Sequence, residues 1–66
     1  MEMEMYKVSI LNDRVHSFDS LEAAVDHARK AFSYSITVEK ARADLQLGRP
    51  HRFSYGFAWG EIYVCN

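Results

Sequence analysis

The 66-residue chain is predicted to be a single α+β domain, β-β-α-β-β, with one amphipathic helix packed on one face of a mainly antiparallel sheet. Three observations predict this fold. The segment YKVSIL alternates apolar and polar residues, as a half-buried strand does. The segment DSLEAAVDHARKAF repeats apolar residues at helical spacing. HRFSYGFAWGEIYVCN alternates again, with an aromatic at every second position of its first half. The length corresponds to one domain covering residues 1–66.

The first strand, YKVSIL, is followed by NDR and then by VHSF, which predicts a hairpin with a short second strand. Asn and Asp tolerate the left-handed backbone of tight turns. A two-residue turn at Asn12-Asp13 pairs Ile10 with Val15, whereas a three-residue turn pairs Val8 with Phe18. The residues do not decide between these two registers.

The helix is predicted to begin near Asp19, because Asp19 and Glu22 have the spacing of a capping box. Ser20 is a rival N-cap, one residue further on. Asp26 and Lys30 form a favourable i,i+4 pair on the polar side. The apolar face is mostly alanine, and its members are Leu21, Ala24, Val25, Ala28 and Phe32.

The segment SYSITVEK alternates and is rich in β-branched residues, so it predicts a third strand that runs to about residue 43. The following residues have helical composition, and Gly48 followed by Pro50 is typical of a helix end. A short helix over residues 39–47 is therefore the alternative at this point of the chain.

The C-terminal segment is predicted to reverse at Trp59-Gly60, because a straight strand from residue 53 to residue 64 would have two apolar faces. The predicted cross-strand pairs are Phe57 with Ile62, Tyr55 with Val64 and Gly56 with Tyr63. In the last pair an aromatic ring covers a strand glycine. Trp59 is expected at the hairpin tip, exposed to water.

Composition restricts the function classes. Cys65 is the sole cysteine, so disulfides are excluded and a reducing compartment is expected. The N-terminus MEMEMYK lacks the layout of a secretion signal, and no apolar run approaches the ~20 residues that span a bilayer. The expectation is a cytoplasmic protein that does not bind membranes. The formal net charge of −1 argues against bulk electrostatic capture of nucleic acid.

The sequence contains no motif that is typical of catalysis or of metal binding. His16, His27, His51 and Cys65 lack the paired spacing of zinc ligands, and His27 is expected on the polar side of the helix. No glycine-rich elbow or phosphate loop is present. A chain this short is also expected to have little room for a pocket of ~300 Å³ or more. The prediction is therefore no catalytic residue, no metal, no cofactor and no enzymatic activity.

Partner binding needs no such motif. Residues 33–52 carry four basic side chains against Glu39 and Asp44, a local charge of +2. Trp and Arg are enriched among interface hot spots. The predicted partner-binding residues are Trp59, Lys40, Arg42, Arg49, His51 and Arg52. The expected partner is a protein, either a host complex or a second copy paired through an edge strand. The alternative is a single-stranded nucleic acid bound by the basic and aromatic residues.

In size, charge and layout the chain resembles small accessory proteins encoded by bacteriophages, such as anti-CRISPR and other anti-defence inhibitors. YKVSILNDRVHSFDSLEAAVDHARKAF, a hairpin leading into a capped amphipathic helix, carries this resemblance. The resemblance implies a non-catalytic inhibitor that binds a host defence or nucleic-acid-processing complex. It transfers no functional residue, because no diagnostic motif is matched.

Overall fold

The computed structural model describes residues 5–32 and 36–65, except for the side chains of Phe32 and Tyr55. The described residues form four strands in one antiparallel sheet and two helices. In chain order the elements are β1 (Met5–Ile10), β2 (His16–Phe18), α1 (Leu21–Phe32), α2 (Val38–Gln46), β3 (His51–Tyr55) and β4 (Ala58–Cys65). The strand order in the sheet is β2-β1-β4-β3. The α+β class and the antiparallel sheet are confirmed, but the layout with a single helix is wrong.

The first hairpin has neither of the two predicted registers. Val8 lies opposite His16, and the five residues 11–15 form the connection. The reason lies on the other side of β1: the Leu11 amide donates to the carbonyl of Trp59 at 2.9 Å, so Leu11 continues the ladder with β4. The chain then turns through Asn12, whose φ of 67° is left-handed.

The predicted helix is confirmed as α1. Ser20 is its N-cap, since the Ala23 amide donates to Ser20 Oγ at 3.2 Å. Asp26 and Lys30 form the expected pair, with 3.4 Å between Lys30 Nζ and Asp26 Oδ2. The alanine-rich face is buried, and its described members are Leu21, Ala24, Val25 and Ala28.

The third strand predicted over SYSITVEK is wrong where the structure describes it, and the helical alternative is correct to within one residue. Tyr34 and Ser35 lie outside the described residues. Thr37 Oγ1 accepts from the Lys40 amide at 3.2 Å and so caps α2. Ile36 and Ala41 flank the cap at the positions of a hydrophobic staple, and both are buried in the core.

Helix α2 ends in a Schellman motif, after which the chain continues into β3. The Arg49 amide donates to the Asp44 carbonyl at 3.2 Å, and the Gly48 amide donates to the Leu45 carbonyl at 3.0 Å. Gly48 has a φ of 78°, the left-handed value that this motif requires. Pro50 follows and prevents the helix from continuing.

The last hairpin turns at Gly56-Phe57 and not at Trp59-Gly60. Gly56 has a φ of 61°, and β4 runs without a break through Trp59-Gly60. All three predicted cross-strand pairs are therefore wrong. The predicted change in which alternate residues face the core does occur within this segment, but it occurs at Gly56-Phe57: odd-numbered residues face the core in β3 and even-numbered residues in β4. The glycine covered by an aromatic is Gly60, which lies opposite Phe53.

Both helices pack on one face of the sheet, called here the inner face, and close a single core. The buried residues of this core are Val8, Leu21, Ala24, Val25, Ala28, Ile36, Ala41, Phe53 and Ile62. Helix α1 packs on β1 and β2, and α2 packs on β3 and β4. None of the described buried residues projects from the opposite face. Within the described ranges, neither helix is long and apolar enough to traverse a bilayer.

Candidate functional site

The side of the sheet that faces away from the helices is the candidate contact surface. Side chains alternate along each strand, and cross-strand partners share a face, so its composition follows from the register. This outer face consists of Met5, Lys7, Ser9, Ser17, Arg52, Ser54, Trp59, Glu61, Tyr63 and Cys65. Its described members are partly or fully exposed. The sheet therefore has one face in the core and one face towards solvent.

Trp59 is the largest exposed side chain on this face, with 51 % of its surface accessible. It lies opposite Ser54, and Arg52 lies diagonally across the same pair of strands. An open depression of about 600 Å³ runs along this hairpin, lined by Arg52, Ser54, Trp59 and Glu61 together with Phe53 and Gly60. The predicted exposure of Trp59 is confirmed, but the indole lies on a strand face and not at a hairpin tip.

The hairpin tip is occupied by a different aromatic residue. Phe57 lies in the turn between β3 and β4 and is fully exposed. This position follows from the earlier reversal of the chain at Gly56. Two exposed aromatics, Phe57 and Trp59, thus lie close together at the distal end of one hairpin.

The charges on the outer face are mixed. Arg52 and Glu61 lie opposite each other, with 4.0 Å between Arg52 Nε and Glu61 Oε2. The Arg52 side chain is 81 % exposed, so this pair leaves the guanidinium available to other groups. Lys7 adds a second positive charge two strands away. The outer face therefore carries a small positive excess beside its indole.

The other predicted contact residues are not on the outer face. Lys40 and Arg42 lie on α2, in the helical layer on the opposite side of the sheet. Arg42 Nη2 is bound to Glu22 Oε2 of α1 at 3.3 Å. Arg49 lies in the exposed turn that follows α2. The predicted basic cluster is thus divided between two sides of the molecule, and Arg52 alone accompanies Trp59.

His51 has a partner inside the domain. Its Nδ1 lies 2.8 Å from Asp44 Oδ2, and its side chain is 12 % exposed. This contact joins the last turn of α2 to the first residue of β3. Asp44 also accepts the Arg49 amide through its backbone, so one residue organises the whole connection. The sequence did not predict Asp44 as the partner of His51. The two residues are seven positions apart, and the end of α2 and the turn that follows it bring them together.

A second cluster was also missed by the sequence interpretation. Asp13, His16 and His27 come together where the β1–β2 connection meets α1. His27, expected on the polar side of the helix, is only partly exposed: its ring lies 4.5 Å from that of His16 and 5.2 Å from that of Phe18, and its Nε2 is shielded from solvent. The alternation in β2 could have indicated part of this cluster. His16 and Phe18 alternate with Ser17, so both must share the inner face, which is the face covered by α1.

The size argument against a pocket is wrong for this chain. Besides the depression at Trp59, a second one of about 520 Å³ lies between the start of α1 and α2, where Glu22 and Arg42 meet. Both are open to solvent. The expectation that the protein is not an enzyme stays a prediction, supported by the absence of a catalytic motif in the sequence.

Comparison of the chain with protein-family models finds no match, and neither curated proteins nor solved structures provide one. Support for a function therefore comes from the geometry of the chain's own residues.

Proposed function

We propose that this protein is a small non-enzymatic protein-binding module that docks a partner on the outer face of its sheet, with Trp59 at the centre of the contact. The observation that carries the proposal is a half-exposed indole beside an exposed Arg52 on a sheet face that no described buried residue shares. Trp and Arg are the residue types most enriched among binding hot spots.

Leaving the Trp59 indole outside the core loses stabilisation that its burial would provide, unless the indole binds a partner. A buried Trp removes about 150–250 Å² from water, which makes it the largest contribution that one side chain can offer to a small core. Among the described buried residues, the core consists instead of alanine, valine, leucine and isoleucine with one phenylalanine, Phe53. Placing Trp59 and Phe57 outside keeps that apolar area available for a partner.

The resemblance to phage-encoded anti-defence proteins supplies a class of partner for this surface. On that basis the module is an inhibitor that covers part of a host defence or nucleic-acid-processing complex. The positive excess around Arg52 and Lys7 suits a partner surface that combines apolar and acidic groups.

Single-stranded nucleic acid is the weaker alternative. Such binders place basic side chains and stacking aromatics along one groove. Here Lys40 and Arg42 lie in the helical layer, Arg42 is paired with Glu22, and Glu61 lies between Arg52 and Ser9. Titrating the protein with short DNA and RNA oligonucleotides at low salt should leave the fluorescence of Trp59 unchanged.

The free edge of β3 offers a second mode of contact, because the strand order leaves one side of this five-residue strand unpaired within the described sheet. A second copy of the chain could add to it as an antiparallel strand. Analytical ultracentrifugation over a hundredfold range of protein concentration tests this mode. A homodimer gives a sedimentation coefficient that rises with concentration, whereas a monomer gives a constant one.

The decisive test is an affinity pull-down from a bacterial lysate with Trp59→Ala and quantitative mass spectrometry. The substitution should reduce the recovery of the specific partner at least tenfold, because hot-spot truncations cost about 2 kcal/mol or more. The free energy of unfolding should change by about 1 kcal/mol or less, since half of the indole is already in water.

Leu47→Ala is the matched control for that pull-down. Leu47 is also an exposed large apolar residue, at 66 %, but it lies at the end of α2 in the helical layer. Its substitution should leave the recovered partner unchanged. Equal loss with Leu47→Ala, or unfolding of Trp59→Ala, would remove the outer face from the proposal.

A further inference from the structure

The Asp13–His16–His27 cluster lies apart from the proposed contact surface and has a distinct chemistry. His16 opens β2 and projects from the inner face, opposite Val8, towards α1. His27 lies in the second half of α1, and Asp13 lies in the connection that precedes β2. Three separate segments of the chain therefore converge on one point.

The three side chains are the ligand types that bind divalent transition metals. Imidazole nitrogens and a carboxylate oxygen are common zinc ligands, and two His with one acidic residue form a known three-ligand set. One ligand atom from each residue lies within 4.8 Å of both others. His16 Nε2 and Asp13 Oδ2 are already 3.4 Å apart. Ligands of a tetrahedral zinc ion, bound at ~2.1 Å, lie about 3.4 Å from one another.

The buried nitrogen of His27 is an independent observation that points to a ligand. Its Nε2 has no hydrogen-bond partner among the described residues, although it is shielded from solvent. A polar atom in that situation destabilises the folded chain unless something binds it. The neighbouring rings of His16 and Phe18 hold the imidazole in place, so the orientation of this nitrogen is set by packing.

We infer that Asp13, His16 and His27 form a binding site for a divalent transition-metal ion, Zn²⁺ above all, which fastens the β1–β2 connection to α1. Each residue supplies one ligand, and the fourth tetrahedral position takes water or another small ligand. Small domains without disulfides gain much of their stability from such a clamp. Cys65 cannot supply a disulfide, because it is the chain's sole cysteine.

The hydrogen bonds made by Asp13 suit its carboxylate to act as a ligand. Asp13 Oδ1 accepts the Arg14 amide at 2.9 Å, which leaves Oδ2 directed towards His16. The Asp13 amide in turn donates to the Ile10 carbonyl at 3.0 Å. These bonds orient the carboxylate before any ion arrives, which reduces the cost of ordering it.

The test is thermal unfolding and calorimetric titration of the protein, prepared without a histidine tag, with ZnCl₂ at pH 7.5 and with EDTA as reference. A zinc concentration near 100 times the dissociation constant should raise the unfolding midpoint by about 15–20 °C. His27→Phe keeps the ring shape, and its midpoint should rise by less than ~2 °C, a small fraction of the wild-type shift. Asp13→Asn should weaken binding at least tenfold, because even the loss of a side chain that only supports a ligand costs about 10–100-fold in affinity.

Two control variants should keep the full response. His51→Gln removes the histidine that is bound to Asp44, and Cys65→Ser removes the thiol. In nitrogen-detected NMR spectra of the imidazoles, zinc should move the signals of His16 and His27 and leave that of His51 in place. No midpoint shift in the wild type, an unchanged shift in His27→Phe, or wild-type affinity in Asp13→Asn would each overturn the inference.

Discussion

At Gly60, the ring of Phe53 and the carbonyl of Ser9 occupy the space where a side chain would begin. A Cβ built there would lie 2.7 Å from Phe53 Cε2 and 2.8 Å from the Ser9 oxygen. The sequence interpretation correctly expected a strand glycine covered by an aromatic, but it assigned that role to Gly56 and Tyr63. The pairing could not be read from the residues, because moving the turn by three positions exchanges every partner.

Gly60→Ala should therefore destabilise the protein through overpacking, by about 2–3 kcal/mol. The Ser9 carbonyl is backbone and cannot rotate away, so the strand itself has to move. Gly56→Ala is the comparison: its new Cβ meets nothing within 4 Å, and its φ of 61° leaves a strain of about 1 kcal/mol. Urea unfolding measures both, and a Gly60→Ala loss no larger than that of Gly56→Ala would contradict the packing.

At the scale of the element, residues 34–47 show how local pattern and tertiary context compete. Alternation and β-branching predicted a strand, whereas the described part of this segment is the N-cap and body of α2. The helix is selected by Thr37, which caps it, and by Ile36 and Ala41, which it buries. The Gly48 stop signal was read correctly, because a left-handed C-terminal residue is a local requirement.

Thr37→Val should test the cap. Valine preserves the branched shape and removes the oxygen that accepts the Lys40 amide, so the free energy of unfolding should fall by about 1 kcal/mol. Thr37→Ser retains a hydroxyl at the same position and should stay within about 0.5 kcal/mol of the wild type. Equal stability of Thr37→Val and wild type in urea titrations would show that the α2 start depends on packing alone.

At the scale of the whole molecule, the sheet separates a structural face from a face available for contact. Both helices lie on the inner face, so Val8 and Ile62 are fully enclosed, while Trp59 and Arg52 face outwards. Sequence alone predicted that Trp59 would be exposed. It also grouped both Arg52 and Lys40 with the indole, but of these two only Arg52 shares its face, because the position of Lys40 depends on where α2 folds.

Neighbouring residues of β1 should therefore respond differently to substitution. Val8→Ala opens a cavity between the sheet and the helical layer and should cost about 2 kcal/mol or more of unfolding free energy. Ser9→Ala, one position along on the outer face, should change stability by about 0.5 kcal/mol or less. Chemical denaturation of both variants checks the assignment of faces, and similar losses at the two positions would refute it.

The sequence by itself determined the features that depend on residues close together in the chain: the first strand, the alanine-faced helix α1, the stop at Gly48 and the α+β class. Tertiary structure decided the features that depend on distant residues. Those are the register of both hairpins, the choice of helix over strand before Gly48, and the convergence of Asp13, His16 and His27. The physical reason is that alternation defines two faces for each strand, whereas the identity of the opposing residue depends on where the chain turns and on which element packs across it.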